Sequence, residues 1–129
     1  MPFAPVIATD KVPTVFDVNL VNAYACGFMT ITCNVRPEWR DRIAAVVHVD
    51  GSARPQIIDR EPNPLYYDIL TFERASGLPV LVNTSFNVHE EPIVNKPAEC
   101  IRALPDSRID FVVTTQAIHE RSSRPSEST

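Results

Sequence analysis

Short apolar segments rich in β-branched residues alternate with turn signals in the first half of the chain, and they predict strands. Strands are expected over residues 28–35 and 43–49. Gly51 supplies the positive φ of a turn, after which residues 54–60 would return as the second strand of a hairpin. The hairpin would bring together the side chains of His48, Asp50, Arg54 and Gln56.

Apolar residues at helical spacing predict two helices in the second half of the chain. The first covers residues 63–76, where Asn63 can cap the helix and Gly77 provides the left-handed residue that ends it. The second begins near Pro97 and stops at Pro105. Helices interspersed with strands indicate an α/β protein.

The first third of the chain contains segments with a weaker pattern. Residues 1–13 are rich in proline, and their apolar positions show neither the helical nor the strand period. They are therefore expected to form an extended arm on a surface, or a linker. Residues 14–24 could begin a helix with Thr14 as its cap. Pro37 suits the first position of a helical turn that follows residue 36.

Residues 78–94 change abruptly from apolar to polar. The apolar run 80–82 predicts a buried strand, and the small polar residues Asn83, Ser85 and Asn87 follow it. In an α/β protein, ligands usually bind at the carboxyl ends of strands. Amides and hydroxyls suit a carbamoyl group, a nucleotide or a phosphate oxygen, so the stretch predicts a binding site without specifying a reaction. The two asparagines could equally form turns by bonding to their own backbone.

This strand, the helix from Pro97 and a final buried strand over residues 110–115 predict a right-handed, parallel crossover unit. From these elements we expect one α/β domain over residues 1–115, with a mixed twisted sheet and flanking helices. The polar residues 116–129 are expected to form a disordered tail.

Composition narrows the class of protein. The 129 residues are 44% hydrophobic and 22% charged, as in an ordinary globular protein with a single core. No apolar run approaches the roughly 20 residues that cross a bilayer, and no signal peptide is recognisable, so a cytoplasmic protein without membrane attachment is expected. The net charge of −4 argues against a nucleic-acid surface. Three cysteines without C-x-x-C spacing are expected to be reduced core residues rather than zinc ligands.

The polar candidates have structural alternatives to a functional role. Arg54 could bind phosphate or carboxylate oxygens, or form a local ion pair with Asp50. His48 could act as a ligand or an acid–base group, or be a hydrogen-bonded, half-buried ring. Ser85 lacks the G-x-S-x-G setting of a hydrolase nucleophile, so we expect it to donate a hydrogen bond to a substrate rather than to attack it. With only three glycines, the chain has no P-loop and no dinucleotide fingerprint.

Two long motifs, in order, identify a family resemblance. They are H-V-D-G-S-A-R-P-Q (48–56) and G-L-P-V-L-V-N-T-S-F-N-V-x-x-E-P-I-V (77–94). Together with P-F-A-P near the start and V-R-P-E-W-R-D-R (35–42), they resemble the carboxyl-terminal, YrdC-like region of the NodU/CmcH family of O-carbamoyltransferases. The resemblance extends over residues 2–115.

The resemblance implies that this chain contains much of a domain that activates a carbamoyl group. ATP and carbamoyl phosphate would be its co-substrates and carbamoyl adenylate its product, and no metal is expected in this chain. His48, Arg54 and Gln56 would line the nucleotide and phosphate site. Asn83, Ser85 and Asn87 would contact the carbamoyl adenylate, and Arg54 and Ser85 would be the catalytic residues.

The resemblance also implies partners. In the family a separate amino-terminal domain, of the actin-like ATPase type, binds a metal and transfers the carbamoyl group to a hydroxyl of a small molecule. We therefore expect a separate transferase subunit as partner, or assembly with further copies of this chain. A catalytically inactive binding or regulatory module that kept the fold is the alternative. An RNA-binding role is a weaker third hypothesis, because the acidic balance opposes it.

Overall fold

The computed structural model describes residues 3–87, 92–105, 109–114 and 116–120. The chain divides into two compact units, Met1–Thr84 and Ser85–Thr129. The helices are α1 (Val12–Val15), α2 (Ala23–Cys26), α3 (Pro37–Arg40), α4 (Leu65–Ser76) and α5 (Pro97–Arg102). The strands are β1 (Ala4–Ala8), β2 (Phe16–Asp17), β3 (Cys33–Val35), β4 (Ser52–Ala53), β5 (Gln56–Ile58), β6 (Val80–Asn83), β7 (Phe111–Val113) and β8 (Ile118–Glu120). The expected α/β class is confirmed.

β1 is the central strand of a three-stranded sheet with the order β5-β1-β6. It runs parallel to β5, where Val6 faces Gln56, and antiparallel to β6, where Ala4 faces Asn83. The predicted mixed sheet is therefore confirmed. The carboxyl end of β6 and the amino end of β5 both lie beside the amino-terminal half of β1.

The predicted surface arm over residues 1–13 is wrong, because these residues supply the central strand. Val6, Ile7 and Ala8 are at most 3% exposed. A strand that is buried on both faces is apolar throughout and shows no alternation. Pro5 lies ahead of the ladder with β5, which begins at Val6, so its missing N–H does not interrupt that ladder.

The second sheet has the order β2-β3-β4 and is antiparallel throughout. The strand predicted over 28–35 is reduced to β3, and Met29 has a positive φ of 55°. The strand predicted over 43–49 is wrong, because a 3₁₀ turn occupies Ala44–Val46. The helical turn predicted at Pro37 is confirmed as α3.

The predicted hairpin is also wrong. β4 pairs with β3, whereas β5 pairs with β1 in the other sheet. Arg54 and Pro55 form the link between the two sheets. Pro55 has no amide hydrogen to donate, which favours the end of β4 just before this link.

Helix α4 begins and ends at the residues that its local signals predict, whereas α1 does not. In α4, the Asn63 side-chain oxygen accepts a hydrogen bond from the Leu65 N–H (3.0 Å), and Gly77 ends the helix with a φ of 73°. The predicted helix over 63–76 is thus confirmed. Thr14 lies inside α1 rather than capping a helix, since α1 already starts at Val12 with Pro13 in its first turn.

Two buried clusters stabilise the first unit. The larger contains residues from both sheets and from α3, among them Ile7, Phe16, Val35 and Trp39. The smaller lies between α4 and the first sheet and consists of Val6, Ala8, Ile58 and Ile69. Ile7 and its neighbours on β1 therefore contribute to both clusters, and β1 connects them.

The second unit contains α5 and an antiparallel pair, in which Phe111 of β7 faces Glu120 of β8. The predicted helix from Pro97 is confirmed. The predicted parallel crossover is wrong, since β6 pairs antiparallel with β1 and β7 pairs antiparallel with β8. The predicted final strand is not buried, because only its middle residue, Val112, is covered. β8 lies in the segment 116–129 that was expected to be a tail; residues 121–129 of that segment are outside the described residues.

Cys26 and Cys33 are buried, as expected for core cysteines, and their sulfur atoms lie 3.5 Å apart. Burial, together with the hydrogen bond between Cys33 and Cys26, raises the pKa of the Cys33 thiol to about 12. Because thiolates are the reactive form, this thiol is expected to be inert in the folded protein.

We therefore expect a thiol reagent such as dithionitrobenzoate, applied at pH 8, to modify the half-buried Cys100 first. Cys26 and Cys33 should react only after denaturant is added. Fast reaction of all three thiols in the native protein would contradict this assignment.

The raised pKa of Cys33 also predicts that the free energy of unfolding falls as pH rises from the ordinary thiol pKa of about 8.5 toward 12. The reason is that the unfolded chain releases the Cys33 proton at a lower pH than the folded chain does.

Candidate functional site

The motif H-V-D-G-S forms a tight turn held by its own hydrogen bonds. The Gly51 N–H donates to the His48 carbonyl (2.9 Å), and the His48 N–H donates to the Ser52 carbonyl (2.7 Å). The Asp50 carboxylate accepts from the Ser52 hydroxyl (2.7 Å) and from its N–H (2.9 Å). These bonds hold the pKa of the Asp50 carboxyl below its usual value. Gly51 has a φ of 81°, as the sequence predicted for this turn.

His48 is a half-buried ring whose Nδ1 lies 3.5 Å from the Ser52 hydroxyl oxygen. Ser52 is itself 7% exposed, and its hydroxyl is already directed to Asp50. The imidazole is thus placed by the turn rather than by a strand. Ser52 was missed as a site residue, although an Asp two residues before a Ser is a recognisable side-chain turn signal.

Arg54 is exposed in the link between β4 and β5. The predicted alternative, an ion pair with Asp50, is not formed; the ion pair found within the described part of the chain joins Lys11 to Glu73. Asp50 Oδ1 accepts hydrogen bonds from Ser52 instead. The Arg54 guanidinium is therefore not neutralised by the adjacent turn.

Gln56 and Asn83 are brought together across the central strand of the first sheet. The Asn83 amide donates to the Gln56 side-chain oxygen (2.7 Å), and the same nitrogen lies 3.6 Å from the Met29 sulfur. Both amides are half-buried. The sequence predicted that Asn83 lies at a strand's carboxyl end, which is confirmed, but it placed Gln56 in a hairpin with His48 instead.

Ser85 and Asn87 belong to the second unit, where they contact each other. The Ser85 hydroxyl donates to the Asn87 side-chain oxygen (2.5 Å), and both residues are exposed. The Val94 N–H donates to the carbonyl of Phe86, the residue between them (2.8 Å). That these two residues join Arg54, Gln56 and Asn83 in one site stays a prediction.

The ranges that the structure describes contain no candidate metal site and no candidate membrane-spanning helix. No three His, Cys, Asp or Glu side chains there are grouped closely enough to hold a metal ion. No helix there is both long and apolar enough to cross a bilayer.

Comparison with known proteins assigns the chain to a family. The model of the carbamoyltransferase C-terminus family matches residues 1–121. The chain is similar to nodulation protein NolNO of Sinorhizobium fredii, with 33% identity over 128 residues covering 98% of this chain and 19% of the relative. Nodulation protein U of Rhizobium tropici is 40% identical over 89 residues, covering 68% of this chain and 15% of the relative.

An uncharacterized protein of Methanocaldococcus jannaschii is 33% identical over 110 residues, covering 84% of this chain and 17% of the relative. The chain thus spans less than a fifth of the length of each of these three relatives. The resemblance inferred from the two motifs is confirmed by the family match over nearly the whole chain. This protein belongs to the carbamoyltransferase C-terminus family.

Proposed function

We propose that this chain is the carbamoyl-activating domain of an O-carbamoyltransferase and that it binds ATP and a carbamoyl group. The net reaction converts carbamoyl phosphate, ATP and water into carbamoyl adenylate, phosphate and pyrophosphate. Water first cleaves carbamoyl phosphate to carbamate and phosphate. A carbamate oxygen then attacks the α-phosphorus of ATP and displaces pyrophosphate.

The observation that carries this proposal is the pair of amides formed by Gln56 and Asn83. A carbamoyl group is neutral and planar and has two N–H donors and a carbonyl acceptor, so amides match its hydrogen-bonding groups. The two side chains come from strands on either side of β1, which fixes them on a rigid sheet. Amides held in this way can orient a neutral substrate without adding charge to the site.

Arg54 supplies the charge that the phosphate groups require. A guanidinium binds phosphate oxygens through two parallel hydrogen bonds, and Arg54 is exposed and unpaired with the adjacent Asp50. In the proposed reaction Arg54 offsets the charge that develops as pyrophosphate leaves. We assign His48 to the phosphate groups, and on family resemblance we assign Ser85 and Asn87 to contacts with the carbamoyl adenylate.

Transfer to the acceptor requires a further protein part under this proposal. The three relatives are more than five times longer than the segment that this chain matches. We propose that a transferase domain, provided as a separate subunit, accepts the carbamoyl adenylate and passes the carbamoyl group to a hydroxyl of a small molecule.

Isothermal titration of the chain with ATP, and with a non-hydrolysable carbamoyl adenylate analogue, tests the proposal. We expect both ligands to bind. Arg54→Ala should weaken both by about ten- to hundredfold, the usual loss for a hydrogen bond to a charged group. Ser85→Ala should weaken the adenylate analogue more than ATP, because Ser85 is assigned to the carbamoyl end.

Arg74→Ala is the matched control, because it removes an equal charge from an exposed position on α4. It should bind both ligands as the unaltered chain does. Absence of binding by the unaltered chain would overturn the proposal and favour an inactive module that has kept the fold.

A further inference from the structure

Arg40 lies against the H-V-D-G-S turn, although it is eight residues away from His48 in sequence. A Cβ atom built on Gly51 would lie 2.7 Å from the Arg40 guanidinium carbon and 3.0 Å from each terminal nitrogen. The guanidinium therefore occupies the space where any other residue at position 51 would carry its side chain. Glycine is favoured at this position by its φ of 81°, and any other residue there would also displace the Arg40 guanidinium.

One end of the Arg40 guanidinium is fixed and the other is available. Its Nε donates to the Val35 carbonyl (3.1 Å), at the end of β3. Its two terminal nitrogens donate no hydrogen bond to the residues that the structure describes, and no carboxylate among those residues lies within 4.0 Å of them. Arg40 is exposed, so these donors are open to a ligand.

The acidic residue next to Gly51 in sequence does not pair with Arg40. Asp50 precedes Gly51, its Oδ1 atom accepts both Ser52 bonds, and no Asp50 oxygen lies within 4.0 Å of an Arg40 nitrogen. Those bonds hold the pKa of Asp50 low, so it stays ionised and contributes a negative charge next to the turn. Arg40, which lies against Gly51, and Arg54 carry two positive charges. Together with the one negative charge of Asp50, they give this group of three side chains a net positive charge.

We propose that Arg40 is a second phosphate-binding residue of the site, acting with Arg54 across the segment from Gly51 to Arg54. This inference rests on the proposed function, because it assigns Arg40 to the phosphate groups of the same co-substrates. A guanidinium that is anchored through Nε keeps its two terminal nitrogens in a fixed fork, which is the arrangement that suits phosphate oxygens. The phosphate can belong to ATP or to carbamoyl phosphate.

The two arginines that flank Arg40 in sequence, Arg36 and Arg42, have different contacts. Arg36 Nε donates to the Pro13 carbonyl (2.7 Å), away from Gly51. Arg42 lies over the Trp39 ring, at 4.0 Å from its centroid, and its Nη2 donates to the Gly77 carbonyl (2.9 Å). Arg40 is the arginine of this group that contacts the turn. Arg36 is therefore a matched control, because it is also exposed and is also held by an Nε bond to a carbonyl.

The test is titration of the full chain and of the Arg40→Ala, Arg40→Lys and Arg36→Ala variants with three probes: ATP, adenosine and carbamoyl phosphate. Arg40→Ala should bind at least one phosphate-bearing probe about ten- to hundredfold more weakly. Its affinity for adenosine, which has no phosphate, should be unchanged. The probe that loses affinity identifies which phosphate Arg40 contacts. Arg40→Lys should recover part of the loss, because it keeps the charge without the fork.

Thermal unfolding of each variant separates a binding defect from a folding defect. Equal binding of ATP and carbamoyl phosphate by Arg40→Ala and the unaltered chain would overturn the assignment of Arg40 and leave the proposed function standing. An equal loss of adenosine binding would also overturn it, since that pattern indicates a damaged turn. If the unaltered chain binds none of the probes, the proposed function itself fails, and the assignment of Arg40 fails with it.

Discussion

Replacing Ile7 with alanine is expected to lower the free energy of unfolding of the first unit by about 3 kcal/mol, within the range of 2–5 kcal/mol typical of buried Ile or Leu to Ala changes. Ile7 is 0% exposed and belongs to the larger buried cluster. It faces Ile57 of β5 and Val80 of β6, so removing three carbon atoms leaves a cavity lined from both neighbouring strands. Such a cavity cannot collapse easily, because paired strands hold its walls in place.

Urea denaturation followed by Trp39 fluorescence measures this change, since Trp39 is the only tryptophan and lies in the first unit. Val49→Ala is the control, because Val49 is fully exposed and its truncation should change the free energy of unfolding by less than about 0.5 kcal/mol. Equal, small effects of the two substitutions would mean that β1 is not a central strand. In that case the surface arm predicted from sequence would be correct.

Replacing Trp39 with alanine is expected to lower the free energy of unfolding by about 4 kcal/mol, since large aromatic truncations in cores cost about 3–5 kcal/mol. Trp39 is 8% exposed and is part of the larger buried cluster, on the short helix α3. A helix of four residues is not stable alone, so α3 depends on this side chain for its position. Loss of Trp39 should therefore also displace Arg40, the last residue of α3.

Circular dichroism in urea measures the loss, because the variant has no tryptophan to follow by fluorescence. Arg42→Ala is the control: it removes the cation that covers the ring and the hydrogen bond to the Gly77 carbonyl, but it leaves the buried aromatic in place. An exposed cation–π contact contributes about 0.5–1 kcal/mol and an ordinary hydrogen bond about 0.5–1.5 kcal/mol, so this variant should be less destabilised than Trp39→Ala. A similar loss in both variants would show that the contacts of Arg42, rather than burial of the ring, hold α3.

The elements that the sequence predicted well are those defined by local interactions. The helix α4 has an asparagine that caps it, a proline before its first residue and a left-handed glycine after its last. Each signal acts within a few residues, so it is readable without knowledge of the fold. The same holds for the positive φ of Gly51 and for the change from apolar strand to polar residues at Asn83.

The strands that the sequence misassigned depend on distant partners. Residues 43–49 have high β-propensity, yet part of them forms a 3₁₀ turn, because β4 finds its partner in β3 and not in this segment. β-propensity reflects how a side chain packs against its neighbours in the sheet, and these neighbours often lie far away in sequence. The predicted grouping of the polar residues was wrong for the same reason: Gln56 contacts Asn83 rather than His48.

The sequence by itself determined the family, the boundaries of α4, and the polar residue types that follow β6. Only the tertiary structure decided that a proline-rich amino-terminal segment is the centre of a sheet, and that Arg40 lies against Gly51. The physical reason is the range of the interactions. Caps and turns are closed by neighbours in sequence, whereas strand order and the close approach of Arg40 to a glycine depend on how the whole unit packs.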